Sequence, residues 1–131
     1  STIDIGPFEY PEYPQELNVI IEMPYHIYTP EIQCGCTVSV WNPGAQDITD
    51  HPLFVILDVY DTLYFAPDFS DFNSVNQDYP PGETEVTILD PFLWPEDVGS
   101  ATGLSWYAAL VDPSVSNLVS NLSTWEFGWS N

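Results

Sequence analysis

Ile32-Gln-Cys-Gly-Cys-Thr-Val-Ser-Val-Trp-Asn-Pro-Gly44 decides the fold of this chain. Ile32, Cys34, Cys36, Val38 and Val40 alternate with Gln33, Gly35, Thr37 and Ser39, and a period of two marks a strand with one buried face. Asn42-Pro43-Gly44 then stops it: proline presets φ for a turn, and the glycine is expected to supply a positive φ. The same grammar repeats on either side. Upstream, Leu17, Val19, Ile21 and Met23 alternate with Asn18, Ile20 and Glu22 until Pro24. Downstream, Leu53-Phe-Val-Ile-Leu57 is apolar on both faces, as in a central strand, and Asp58, Tyr60 and Thr62 mark a wetter face as the run continues to Phe65. Further strands are expected around Val86 and Ile88, ending at Asp90-Pro91, at Leu104, Trp106, Ala108 and Leu110, and at Trp125, Phe127 and Trp129.

One short helix is expected after the Leu104 strand. Asp112 suits a cap, Pro113 a first helical position, and Val115, Leu118, Val119 and Leu122 recur at helical spacing. Residues 1–16 differ from the rest: Pro7, Pro11 and Pro14 recur among Phe8, Tyr10 and Tyr13, which favours an extended, polyproline-like arm, while Ile3 and Ile5 alternate with polar neighbours as a short strand would. The expected architecture is all-β, an antiparallel immunoglobulin-like β-sandwich over 17–131 of six or seven strands and one short helix, preceded by the extended N-terminal arm over 1–16.

The 131 residues include no Lys and no Arg against 20 Asp plus Glu, a formal charge of −20. Ordinary usage would supply about a dozen basic residues. Such a surface repels phosphate, which excludes sequence-independent nucleic-acid binding and attraction to anionic membranes. It offers a trypsin-like protease nothing to cut and leaves the fold to rest on burial, hydrogen bonds, covalent links or bound cations. Disorder is excluded by seven Phe, eight Tyr and five Trp. No apolar run approaches a membrane span, and a chain beginning at Ser1 reads as a processed, exported product. A secreted or cell-surface location is the expectation.

Many carboxylates without basic partners invite Ca²⁺, a hard ion that takes oxygen ligands. The densest cluster is Asp58, Asp61, Asp68 and Asp71, without the EF-hand spacing; a solvated acidic loop is the competing reading. Cys34 and Cys36 share one face of their strand and read first as buried thiols, next as a strained local disulfide, last as metal ligands. Asn121-Leu122-Ser123 is a glycosylation acceptor triplet. Tyr64, Phe65, Phe69, Phe72, Trp94 and Trp106 could stack on sugar rings, but aromatic residues in sandwiches more often fill the core. Both histidines neighbour aromatic or proline turns (His26 after Tyr25, His51 before Pro52), and no Gly-x-Ser-x-Gly elbow exists. No constellation rises above background, and no enzyme is expected.

Thr37-Val-Ser-Val-Trp-Asn-Pro-Gly44 resembles the second-strand signature of secreted bacterial immunoglobulin-like modules of the CARDB type, in which an Asn-Pro-Gly turn follows an alternating strand. Leu53-Phe-Val-Ile-Leu-Asp-Val-Tyr60 and Trp125-Glu-Phe-Gly128 look like the same module, and the resemblance runs from about Leu17 to Trp129. It implies a sandwich and export and brings no catalytic residue. The missing basic residues and the aromatic arm depart from it. Two functions stand open. One is a non-catalytic extracellular structural subunit, assembling head-to-tail with itself into a surface filament or sheath by strand addition of the arm, through Ile3, Ile5, Phe8 and Tyr10. The other is a carbohydrate- or calcium-binding module of a secreted adhesin or enzyme.

Overall fold

A computed structural model describes residues 16–93 and 99–130. Ile3, Ile5, Phe8, Tyr10 and Trp94 lie outside the described residues. Eight strands follow one another: β1 Asn18–Glu22, β2 Ile27–Tyr28, β3 Cys34–Asn42, β4 Leu53–Val59, β5 Thr62–Phe65, β6 Gly82–Phe92, β7 Ala101–Leu110 and β8 Ser123–Trp129. They form two sheets, one ordered β1-β3-β6 and the other β2-β8-β7-β4-β5. Every pairing is antiparallel except β2 with β8, which is parallel. The five-stranded sheet is therefore mixed, where a purely antiparallel sandwich was expected.

The alternation read from the sequence becomes the core. Val19 and Ile21 of β1 and Cys34, Cys36, Val38 and Val40 of β3 face Leu53 and Val55 of β4, Leu104, Trp106, Ala108 and Leu110 of β7, and Phe127 of β8 in one buried cluster. Each fully buried aliphatic side chain contributes roughly 1.5–3 kcal/mol relative to exposure. That is the main support available to a chain with no basic side chain to pair with its acids.

Three local expectations are corrected. The 53–65 run is two strands, not one: Tyr60 and Asp61 sit at φ 50° and 74° and turn the chain back, so Thr62–Phe65 pairs antiparallel with β4. Gly44 is not in the left-handed region. The turn after β3 is held instead by the buried Asn42 amide, whose Nδ2 donates to the Gln46 and Tyr79 carbonyls while its Oδ1 accepts from Gly44 N–H at 2.9 Å. A Cβ at Gly44 would meet that oxygen at 3.3 Å, so the Asn42 side chain would have to give slightly.

The helix is also absent: none occurs among the described residues. Asp112 Oδ1 accepts from the Ser116 N–H at 2.9 Å and the Ser114 hydroxyl at 3.1 Å, and Val115 adopts φ 57°. Short polar side chains that bond the nearby backbone compete with helical hydrogen bonds. Here they win, and Val111 bridges Leu118 instead. Val115, Leu118 and Leu122, which recur at helical spacing, are left about half exposed.

Candidate functional site

The structure does not gather the four aspartates. Asp58 Oδ1 accepts from the Asp61 N–H at 2.9 Å across the β4–β5 turn, and Asp68 Oδ1 accepts from Ser70 N–H and Asn73 Nδ2. These carboxylates stabilise their own loops. Among the described residues no three of His, Cys, Asp and Glu come together as a metal site. Cys34 and Cys36 are both buried and are not joined in a disulfide; burial pushes the Cys36 thiol up to about 12, far from a thiolate at neutral pH. Gly35 between them lets β6 approach, since a Cβ there would lie 3.1 Å from the Leu89 carbonyl oxygen.

Asn121 and Ser123 have a role that the sequence reading missed. Asn121 Oδ1 accepts from Val19 N–H at 2.8 Å and its Nδ2 donates to the Val19 carbonyl at 2.9 Å. Ser123 Oγ accepts from Ile21 N–H at 3.0 Å. The side-chain amide thus copies a β-ladder pair, and these two residues close the outer edge of β1. The amide that would carry a glycan is engaged in this clamp. Asn121→Ala is expected to cost roughly 1–3 kcal/mol, because Val19 loses a donor and an acceptor together. Asn121→Asp should lose most of the same, since it sets a carboxylate against the Val19 carbonyl. Denaturant unfolding and amide exchange at Val19 check this; unchanged values for both variants would show that the clamp contributes nothing.

The aromatic residues divide between core and surface. Trp106 is buried, with Phe69 edge-on at 6.1 Å. Trp125 stacks on His26 at 4.2 Å, and His26 Nδ1 bonds the Glu126 carbonyl oxygen. His51 Nδ1 is spent likewise on the Thr49 carbonyl oxygen. Phe72, by contrast, is 67% exposed and meets Phe54 at 5.4 Å and Phe65 at 5.3 Å. These rings line a groove of about 370 Å³ on the outer face of β4 and β7, with Tyr107, Leu118 and Leu122 also on its walls. None of the groove residues is charged, although the chain carries −20.

The edges of the two sheets differ as well. β2 has two residues and β5 four, with Phe65 of β5 further bridged to Ser70. The β1 edge carries the Asn121 and Ser123 clamp. β6, eleven residues long, pairs with β3 alone among the described strands.

The acids are expected to give the fold a pH optimum. Partial burial and the like charges of Glu83 and Glu85 raise the Glu22 carboxyl above its ordinary 4.5. A raised acid favours folding when protonated, so its contribution is full below the unfolded pKa and lost as pH climbs through the raised one. Asp68 and Asp112 are lowered from 3.8, the first chiefly by the Asn73 amide and the second chiefly by the Ser116 N–H. Their contribution is present above 3.8 and lost as pH falls through the lowered values. Stability should rise as pH drops from about 7 into the range above 4.5 and fall again below 3.8. Melting temperatures in chelator read this directly: a steady decline from neutral pH downward contradicts it, and Glu22→Gln should flatten the rise.

No protein-family model matches the sequence, and no curated protein matches it. Among solved structures, the fold is similar to the solution NMR structure of the CARDB domain of PF1109 from Pyrococcus furiosus, with a TM-score of 0.53 and 17% identity over 88% of this chain and 94% of that one. The chain has the fold of a CARDB-type β-sandwich module. This is the fold implied by the resemblance of Thr37–Gly44 and the strands around it.

Proposed function

We propose that the chain is a non-catalytic, exported structural module that assembles with itself, the N-terminal segment of one copy adding as a strand to the β6 edge of the next. The observation that carries this is the contrast between edges. β1 is clamped by two side chains, β2 and β5 are short, and β6 offers eleven residues paired on one side among the described strands. Strand addition supplies main-chain hydrogen bonds for affinity and alternate side chains for register, and Ile3 and Ile5 have the spacing for it. Glu83 and Glu85 on β6 guard the edge against indiscriminate pairing. Donor and acceptor are different surfaces, so the contact runs head-to-tail and propagates as a filament. Main-chain pairing also asks for no basic residue, and the absence of Lys and Arg suits a protein exposed to proteases outside the cell.

Light scattering under native conditions tests the reading. The full chain should form species larger than a monomer that persist on dilution, and a chain lacking residues 1–15 should be monomeric. A monomeric full chain at every concentration, or unchanged assembly after the deletion, overturns it.

A further inference from the structure

The uncharged groove on the outer face of the five-stranded sheet stands apart from the β6 edge and from the assembly it is proposed to support. We propose that it is the docking site, within the same molecule, for the chain's own proline-rich segment 7–15, bound as a polyproline II helix.

Continuity is the first argument. Glu16 and Leu17, where the described chain begins, share a depression with Leu118 and Val119, and Leu118 is also a wall of the groove. Glu16, the first described residue, therefore lies beside the Leu118 end of the groove. Nine residues of polyproline II, at about 3.1 Å each, span roughly 28 Å, enough to run along it.

The second argument is periodicity. Pro7-Phe-Glu, Tyr10-Pro-Glu and Tyr13-Pro-Gln15 are three successive triplets of one pattern: proline or tyrosine, then phenylalanine or proline, then an acid or its amide. Polyproline II repeats every three residues. In that conformation Pro7, Tyr10 and Tyr13 make one face, Phe8, Pro11 and Pro14 a second, and Glu9, Glu12 and Gln15 a third. Two apolar faces and one polar face suit a segment lying in an apolar groove with its charges toward water.

The third argument is chemical fit. Proline-rich segments of the Pro-x-x-Pro kind, as in Pro11-Glu12-Tyr13-Pro14, dock on aromatic-lined grooves because the preformed helix loses little entropy on binding. Phe54, Phe65, Phe72 and Tyr107 provide such walls. With no Lys or Arg anywhere to anchor a glutamate, apolar contact is the recognition this surface can offer. Occupation would cover Phe72, Leu118 and Leu122, which are 67%, 54% and 55% exposed on the described sandwich. It would also set the direction in which residues 1–6 leave the domain.

The test uses the full chain carrying paired substitutions, Tyr10→Cys with Leu122→Cys, against Tyr10→Cys with Thr87→Cys on the exposed face of the other sheet. Under mild oxidation the first pair should close a disulfide within one chain at least about tenfold faster than the second, because docking raises the local concentration above that of a loose tether. Equal rates, or a bond formed between chains only, overturns the proposal. A second measurement is independent of the cysteines. Deleting residues 1–15 should raise binding of a hydrophobic dye, a synthetic peptide of residues 6–15 should suppress it, and Phe72→Asp in the deleted chain should abolish the gain. Dye binding unaffected by the deletion overturns the proposal too. The disulfide within one chain does not depend on assembly, and Phe72→Asp ties the dye gain to the groove, so a wholly monomeric protein would refute the filament and leave this docking standing.

Discussion

Replacing Trp106 by Ala is expected to remove about 3–5 kcal/mol of stability, a large share of what a domain this size holds. Trp106 is 1% exposed at the middle of β7, opposite Leu57 of β4 on one side and Trp125 of β8 on the other. Its ring stacks on Phe127 at 6.2 Å. It also borders an apolar cavity of about 260 Å³ between the sheets, so truncation would enlarge an existing hole whose walls are strands held in two ladders. Large-to-small changes cost most where the site cannot collapse. Its indole N–H is buried without a hydrogen-bond partner among the described residues. Trp106→Phe, which keeps most of the packing and deletes that donor, should therefore cost much less than Ala. Phe72→Ala on the outer face is the control and should change little. Equal denaturant midpoints for Trp106→Ala and Phe72→Ala would show that the inward face of β7 has been misassigned.

Gly128→Ala should be nearly as damaging, for a different reason. A Cβ at this position would lie 2.5 Å from the Ala101 carbonyl oxygen and 2.9 Å from Thr102 Cα. Both are backbone atoms and cannot swing aside. Gly128 is held from the other side as well: it pairs with Ile27 of β2, and its N–H donates to the His26 carbonyl at 2.9 Å. β7 is irregular at this point, its register shifting between Ala101 and Leu104 around Gly103 at φ 75°. The close approach of three strands thus depends on the missing side chain. Overpacking of this sort costs about 1–3 kcal/mol, with the upper end expected where backbone must move. Release of β2 should accompany it, read as faster exchange of the Gly128 and Ser130 amides, which bond the His26 and Tyr28 carbonyls. Gly44→Ala, whose Cβ would meet only the Asn42 side chain, should be milder. If the two substitutions prove equivalent, the tight β2–β8–β7 junction is not what the glycine serves.

The strands with one buried face were legible because alternation is a local property. Val19 and Ile21, or Cys36, Val38 and Val40, point inward whatever the rest of the chain does. The central position of β4 was legible for the same reason, from its apolar residues on both faces. The outer face of β4 shows where that logic stops. Phe54 and Ile56 suggested a strand covered on both sides, yet in the described structure their face is the floor of an open groove.

Amino-acid order by itself determined the strand pattern, the sandwich class, the inward-facing cysteines and the acid surface, because period and charge need no knowledge of neighbours. Tertiary structure alone decided what polar side chains do at a distance. Asn121 reaches Val19 and Ser123 reaches Ile21 across 102 positions of sequence. Asn42 fixes its turn partly through the Tyr79 carbonyl, 37 residues away. The segment after β7 had helical spacing, but the bridge from Val111 to Leu118 and the Asp112 hydrogen bonds made a tight loop of it. Hydrophobic burial follows local patterning, whereas a hydrogen bond depends on which donor and acceptor the folded chain brings within 3 Å, and no local pattern contains that information.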